Sequence, residues 1–136
     1  MTLKEHITAL NQISVLAKKE DEALMKKFGL DPEMGLDLFD PKAFEYAFAE
    51  RPQHNKAKEY LVTLDDEVLL KLETLMYFGR EQGDGAFSQH LEYFRRRNDS
   101  KKDIVRTIAE KMGAYPLYFQ RASHILANQG INIDTL

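Results

Sequence analysis

The chain has no cysteine among its 136 residues. That excludes disulfides, a cysteine nucleophile and thiolate-held zinc or iron–sulfur centres. It also suits a reducing compartment. Long apolar runs are missing too. No stretch approaches the roughly 18 apolar residues that span a bilayer. The N-terminus, MTLKEHITALNQ, carries charge from Lys4 onward and does not read as a secretory signal. A cytoplasmic protein without a membrane partner is expected. Strict apolar–polar alternation is absent, and the Asp84-Gly85 pair sits between helix-like runs, not between β-rich ones. Repeats and low-complexity tracts are also lacking.

Reactive constellations are equally sparse. The four histidines are His6, His54, His90 and His124, and three residues before them stand Leu3, Arg51, Phe87 and Arg121. The Glu-x-x-His of a di-iron bundle is therefore missing, and neither metal nor cofactor is expected. Ser88 and His90 lie two apart, which places them on different faces of a helix. Paired acids such as Asp65-Asp66 are explained by helix capping. No catalytic residue is assigned, and enzymatic activity has no positive support.

What the chain does contain is legible helical punctuation. Thr2-Leu-Lys-Glu5 is a capping box. Leu3, Ile7, Leu10, Ile13, Leu16 and Ala17 follow at spacings of three or four, giving one apolar face. The phase lapses at KKEDE and resumes at Leu24, Met25 and Phe28 before Gly29. A helix over 2–28 is expected, either continuous or broken near Glu20. Asp31-Pro32 starts a short turn, and Asp40-Pro41 starts a helix over 41–50 that Arg51-Pro52 ends. A weaker helix follows over 54–62. TLDDEVLLKLETLMYFG is the strongest helix, broad enough in its apolar stripe to be central, and Gly79 is expected to end it. Phe87, Leu91 and Phe94 face inward on the next. Ser100-Lys-Lys-Asp103 opens another that closes at Gly113. Pro116 opens the last, which ends at Gly130. The expectation is an all-α bundle of about six helices in one domain over 1–136, with N-terminal helices and a Pro-rich connection over 1–53 and a core over 54–136.

The formal charge is −3. Residues 1–93 hold 11 Lys/Arg against 18 Asp/Glu, and residues 94–136 hold 8 against 4. Arg95, Arg96, Arg97, Lys101, Lys102 and Arg106 form a basic cluster. Beyond it, residues 105–124 fit a helix-turn-helix spacing, with Ala109 small, Gly113 at the turn and Phe119 as anchor. Its second helix would present Tyr118, Gln120, Arg121 and His124 to a groove. Nucleic-acid binding is thus one functional reading, against an acidic first part that would repel phosphate.

GREQGDG, residues 79–85, has the glycines of an anion-binding loop. It lacks the lysine–serine/threonine pair and follows a helix, not a strand. A helix end and turn is the expectation, with Arg80 the one candidate ligand contact. The run LDDEVLLKLETLMYFGRE resembles a bacterial family known as domain of unknown function 3775. Its Leu-Met-aromatic-x-Gly-Arg pattern falls here on Leu75, Met76, Tyr77, Gly79 and Arg80, and its later Pro-Leu step on Pro116, Leu117, Tyr118 and Gly130. The resemblance covers roughly residues 58–133. It implies a packed helical domain and no known activity.

Phe39, Phe44, Tyr46 and Phe48 span nearly every face of one short helix, more than one side can bury. The leading expectation is a protein-interaction or regulatory module that meets another protein or a second copy through these aromatics. The alternative that long helix 1 covers them stands beside it.

Overall fold

The helix Asp66–Arg80 is buried almost all the way round: Leu69, Leu70, Leu72, Glu73, Thr74, Leu75, Met76, Phe78 and Gly79 are all inside. A helix with so wide a dry face has to be surrounded. In the computed structural model, which describes residues 1–37 and 39–136, it is the fourth of seven α-helices, close to the half dozen expected. They are α1 (Leu3–Lys27), α2 (Pro41–Ala47), α3 (Pro52–Val62), α4 (Asp66–Arg80), α5 (Phe87–Arg97), α6 (Lys101–Glu110) and α7 (Tyr115–Asn128). Short 3₁₀ turns occupy Met112–Ala114 and Ile133–Thr135. No strand occurs among the described residues. No helix among them is long and apolar enough to cross a membrane.

α7 lies along α4 in the most extensive contact of the fold, and α5 and α6 cover other sides of α4. α1 packs on α3 and α7, so Leu3, Ile7 and Leu10 share one core with Leu72, Ile108, Phe119 and Leu126. The Thr74 hydroxyl, buried in mid-helix, donates to the Leu70 carbonyl at 2.7 Å and so carries no unmet polarity into the core. The Ser14 hydroxyl donates to the Met112 carbonyl at 2.6 Å and ties α1 to the turn before α7.

α2 stops at Ala47, short of residue 50, and α6 at Glu110, short of Gly113; three other outcomes each have a physical reason. Gly79 does not end α4. It is buried inside the helix, where a Cβ would stand 1.8 Å from the carbonyl oxygen of Tyr118 on α7. The residue is small because two backbones touch there. The helix ends two residues later at Glu81, through Gly83 N–H to Phe78 carbonyl (2.8 Å) and Gln82 N–H to Gly79 carbonyl (3.2 Å), a Schellman closure with Gln82 left-handed at φ 56°. α1 runs unbroken through Glu20. The apolar phase lapses there because that turn faces polar partners: the Glu20 carboxylate accepts from the Gln53 amide at 3.0 Å, and Asp21 accepts from the Tyr46 hydroxyl. Pro52, expected to terminate a helix, opens α3 at a position whose amide needs no partner.

The segment 105–124, read as a helix-turn-helix, folds as the end of α6, a 3₁₀ turn and the first part of α7. α6 packs on α3 and α4, and α7 packs on α4 and α1, with little contact between α6 and α7 themselves. Ala109 and Phe119 are buried in the common core.

Replacing Gly79 by Ala should destabilise the protein by about 3 kcal/mol or more, since the overpacked methyl meets backbone that has no rotamer to yield. Gly113, where an added Cβ meets nothing within 4 Å, is the control. Gly113→Ala should be neutral or stabilising by about 0.5 kcal/mol. Urea midpoints of the two variants test the contrast.

Candidate functional site

The short helix α2 is positioned by its two ends. The Asp40 carboxylate accepts from the Lys42 amide at 2.9 Å and Pro41 supplies the first helical residue. At the other end the Arg51 guanidinium donates to the carbonyls of Tyr46 (2.8 Å), Ala49 (3.1 Å) and Ala47 (3.4 Å), closing the C-terminus with a cation where the helix dipole favours one. Arg51 also lies over the Tyr46 ring, 4.6 Å from its centroid, and approaches Asp21 of α1 at 3.6 Å. Tyr46 completes the cluster by donating its hydroxyl to Asp21. Burial first, then the adjacent Asp21 carboxylate, holds that phenol above its ordinary value.

This cluster divides the predicted aromatic surface in two. Tyr46 is 7% exposed and turns inward with Ala43, against the expectation that it would face a partner. Asp21 of helix 1 meets Tyr46 and Arg51 on that side. Phe44 and Phe48, one turn apart on the opposite side, remain 60% and 75% exposed, with their rings 4.7 Å apart. Phe39 is 97% exposed. It precedes the Asp40 cap of α2. Met34 and Leu36, in the segment before, are exposed as well. A cleft of about 660 Å³ lies on the far side of the Tyr46 cluster, between Ser14, Lys18, Asp21, Arg51, His54 and Glu110. Its charges are mixed, and Asp21 and Arg51 already face each other.

Each arginine of the basic cluster meets a carboxylate of the same chain. Arg95 makes a two-pronged contact with Glu67 (2.8 and 2.9 Å), and that guanidinium holds the Glu67 carboxyl below its ordinary value. Arg96 pairs with Glu92 at 2.9 Å, Arg97 with Asp99 at 3.1 Å and Arg106 with Asp103 at 3.1 Å. Lys101 is half-buried and Lys102 exposed at the start of α6. Gln120 is exposed and Arg121 half-buried on α7. These residues are not gathered into one unpaired basic face.

Arg80 is likewise occupied. Its guanidinium meets Glu81 at 3.2 Å and stands over the Tyr77 ring at 5.0 Å. The amides of Glu81, Gln82, Gly83 and Asp84 all return to carbonyls at or near the end of α4, so they do not converge on an anion. The His90 ring donates to the Asp84 carbonyl and packs edge-on against Phe78, fastening the turn. Among the described residues no group of three or more histidines or carboxylates could hold a metal ion.

One buried acid escaped sequence reading. Glu73, on the central helix, is 3% exposed, and its carboxyl is pushed up to about 7, chiefly by burial, with Asp99 adding to the effect and Arg97 opposing it. The signal available was a lone Glu inside the stripe Leu69, Leu72, Leu75, Met76. Comparison with protein-family models, curated proteins and solved structures finds no match for the chain.

Between pH 4.5, the ordinary value, and about 7, the folded chain keeps the Glu73 proton that the unfolded chain has released. Its contribution to stability is therefore intact below pH 4.5 and is lost as pH climbs through about 7. Glu73→Gln should match the parent at low pH and exceed it at pH above 8 by up to about 3 kcal/mol. Urea unfolding across that range measures the difference.

Proposed function

We propose that the protein is an interaction module that docks another protein chain through the exposed aromatic side of α2 and the turn before it. The observation that carries this reading is the division of α2. Tyr46 is locked inward by Asp21 and Arg51, while Phe39, Phe44 and Phe48 face solvent. A short helix whose inner side is already fastened has no internal need for three exposed phenylalanines, and clustered exposed aromatics are characteristic of contact surfaces. The held position of α2 also favours binding, because a face that is already ordered gives up less freedom when a partner arrives. The likeness of residues 58–133 to the family of unknown function is proposed on the same footing. It adds a structural meaning for Gly79 and no activity. Nucleic-acid binding has less support, because each arginine of its cluster faces a carboxylate of the same chain.

A photoreactive benzoylphenylalanine at Phe48 should form protein adducts in the native cell. The same group at Tyr93, exposed on α5, should not. Equal yields at the two positions would remove the proposal. Phe39→Ser and Phe44→Ser together should abolish the adduct formed from position 48 while leaving stability within about 1 kcal/mol of the parent, as surface changes do.

A further inference from the structure

The aromatic face has a charged setting that says what it can hold. Between residues 31 and 50 stand Asp31, Glu33, Asp37, Asp40, Glu45 and Glu50, against Lys42 alone, a local balance of −5. Five of these acids are exposed, and Asp40 is half-buried as the α2 cap. Lys42 lies back toward the end of α1, its Nζ 3.8 Å from where a Cβ on Gly29 would be. Arg51 follows Glu50 directly, and its guanidinium is turned to the carbonyls that end α2 and to Asp21, on the Tyr46 side; before the window, Lys26 and Lys27 occupy the last turn of α1, where the helix dipole accounts for them.

Three occupants can be compared. A second copy docking face to face would set −5 against −5 across a small patch, and like charges brought together this way oppose association. A nucleic acid or an anionic membrane surface meets the same repulsion. A chain with cationic side chains around an apolar stripe meets attraction at the rim and burial at the centre. We infer that the α2 face binds a cationic amphipathic segment of another protein, its apolar side chains over Phe39, Phe44 and Phe48 and its Lys/Arg against the surrounding carboxylates. This inference rests on the interaction reading above. Because Phe44 and Phe48 are one helical turn apart, a partner helix with apolar residues three and four apart can follow the same line.

The probe is a labelled leucine–lysine peptide with leucines on one helical face, followed by fluorescence anisotropy at low and at physiological salt. Its comparators are the leucine–glutamate version and a leucine–lysine peptide of the same composition with leucines dispersed. The patterned cationic peptide should bind at least about tenfold more tightly than either comparator, a difference of about 1.4 kcal/mol, and should weaken with salt. Two variants should each lose about tenfold in affinity: the Phe39, Phe44, Phe48 to Ser triple, and the rim set Glu33→Gln, Asp37→Asn, Glu45→Gln and Glu50→Gln. A control set with the same change in net charge elsewhere, Glu59→Gln, Glu81→Gln, Glu92→Gln and Glu110→Gln, should bind as the parent does. Equal binding of the glutamate peptide, or equal loss in the control set, overturns the inference. So does a dimer in sedimentation equilibrium that the Phe variant abolishes, since the occupant would then be a second copy on a face that is still an interface. Absence of peptide binding with the Phe48 adduct intact removes the cationic partner alone. Absence of both removes the interaction reading as well.

Discussion

The contact between Gly79 and the Tyr118 carbonyl sets the distance between the two helices on which the rest of the bundle is built. With hydrogen in place of a side chain, the backbone of α4 comes directly against that of α7, and Phe78, Phe119, Ala122 and Leu126 close around the crossing as part of one core. Any side chain there would hold the helices apart and open the space those residues fill. α5 and α6 are applied to the outside of the same α4, so their placement inherits this spacing. The family-like pattern Leu75, Met76, Tyr77, Gly79, Arg80 acquires a physical content here. Leu75 and Met76 enter the core, Gly79 admits α7, and Arg80 lies over Tyr77 at the margin.

The N-terminal part is attached by a different chemistry. The start of α1 is held by apolar burial. Further along, Glu20 and Asp21 reach across to the Gln53 amide and the Tyr46 hydroxyl, with Arg51 bridging back to α2. Polar attachment is directional where apolar burial is not. It fixes which side of α2 turns inward and leaves Phe44 and Phe48 outward. The interaction surface proposed for the protein is in this sense a product of the cluster on its reverse side.

Charge in the C-terminal region works inwardly. The Arg95–Glu67 contact bridges α5 to the start of α4, while the Arg96–Glu92, Arg97–Asp99 and Arg106–Asp103 pairs are local. Exposed pairs of this kind contribute little stability each. They pair each arginine of the basic run with a carboxylate, while among the described residues no ion pair is made by the acids between residues 31 and 50, whose neighbouring Arg51 is turned to Asp21 and the end of α2. Glu73 is the exception within the core, an acid kept toward its neutral form by burial.

The helices themselves were legible because their signals are local. Apolar residues at spacings of three and four, the Thr2–Glu5 box, the Asp40-Pro41 start and the Ser100 cap act within a few residues of chain, and all three caps form. Gly29 and Gly130 close their helices as read, with φ of 69° and 73°. Gly79 was misread because a glycine that ends a helix and a glycine that admits a neighbouring backbone are the same letter, and only the approach of α7, some forty residues later in the chain, separates them. Whether α1 is broken near Glu20 was left open by the sequence for a related reason, and the helix runs through. A charged turn looks like an interruption until Gln53 and Tyr46 are seen to face it. Tyr46 and Phe48 stand two apart with similar composition around them, and contact with Asp21 and Arg51 holds one inside while the other stays out. Local spacing and capping determined which segments are helical, since those energies are settled between near neighbours. The three-dimensional packing decided which aromatics are free and which arginines are spent, since burial and charge pairing depend on residues that only folding brings together.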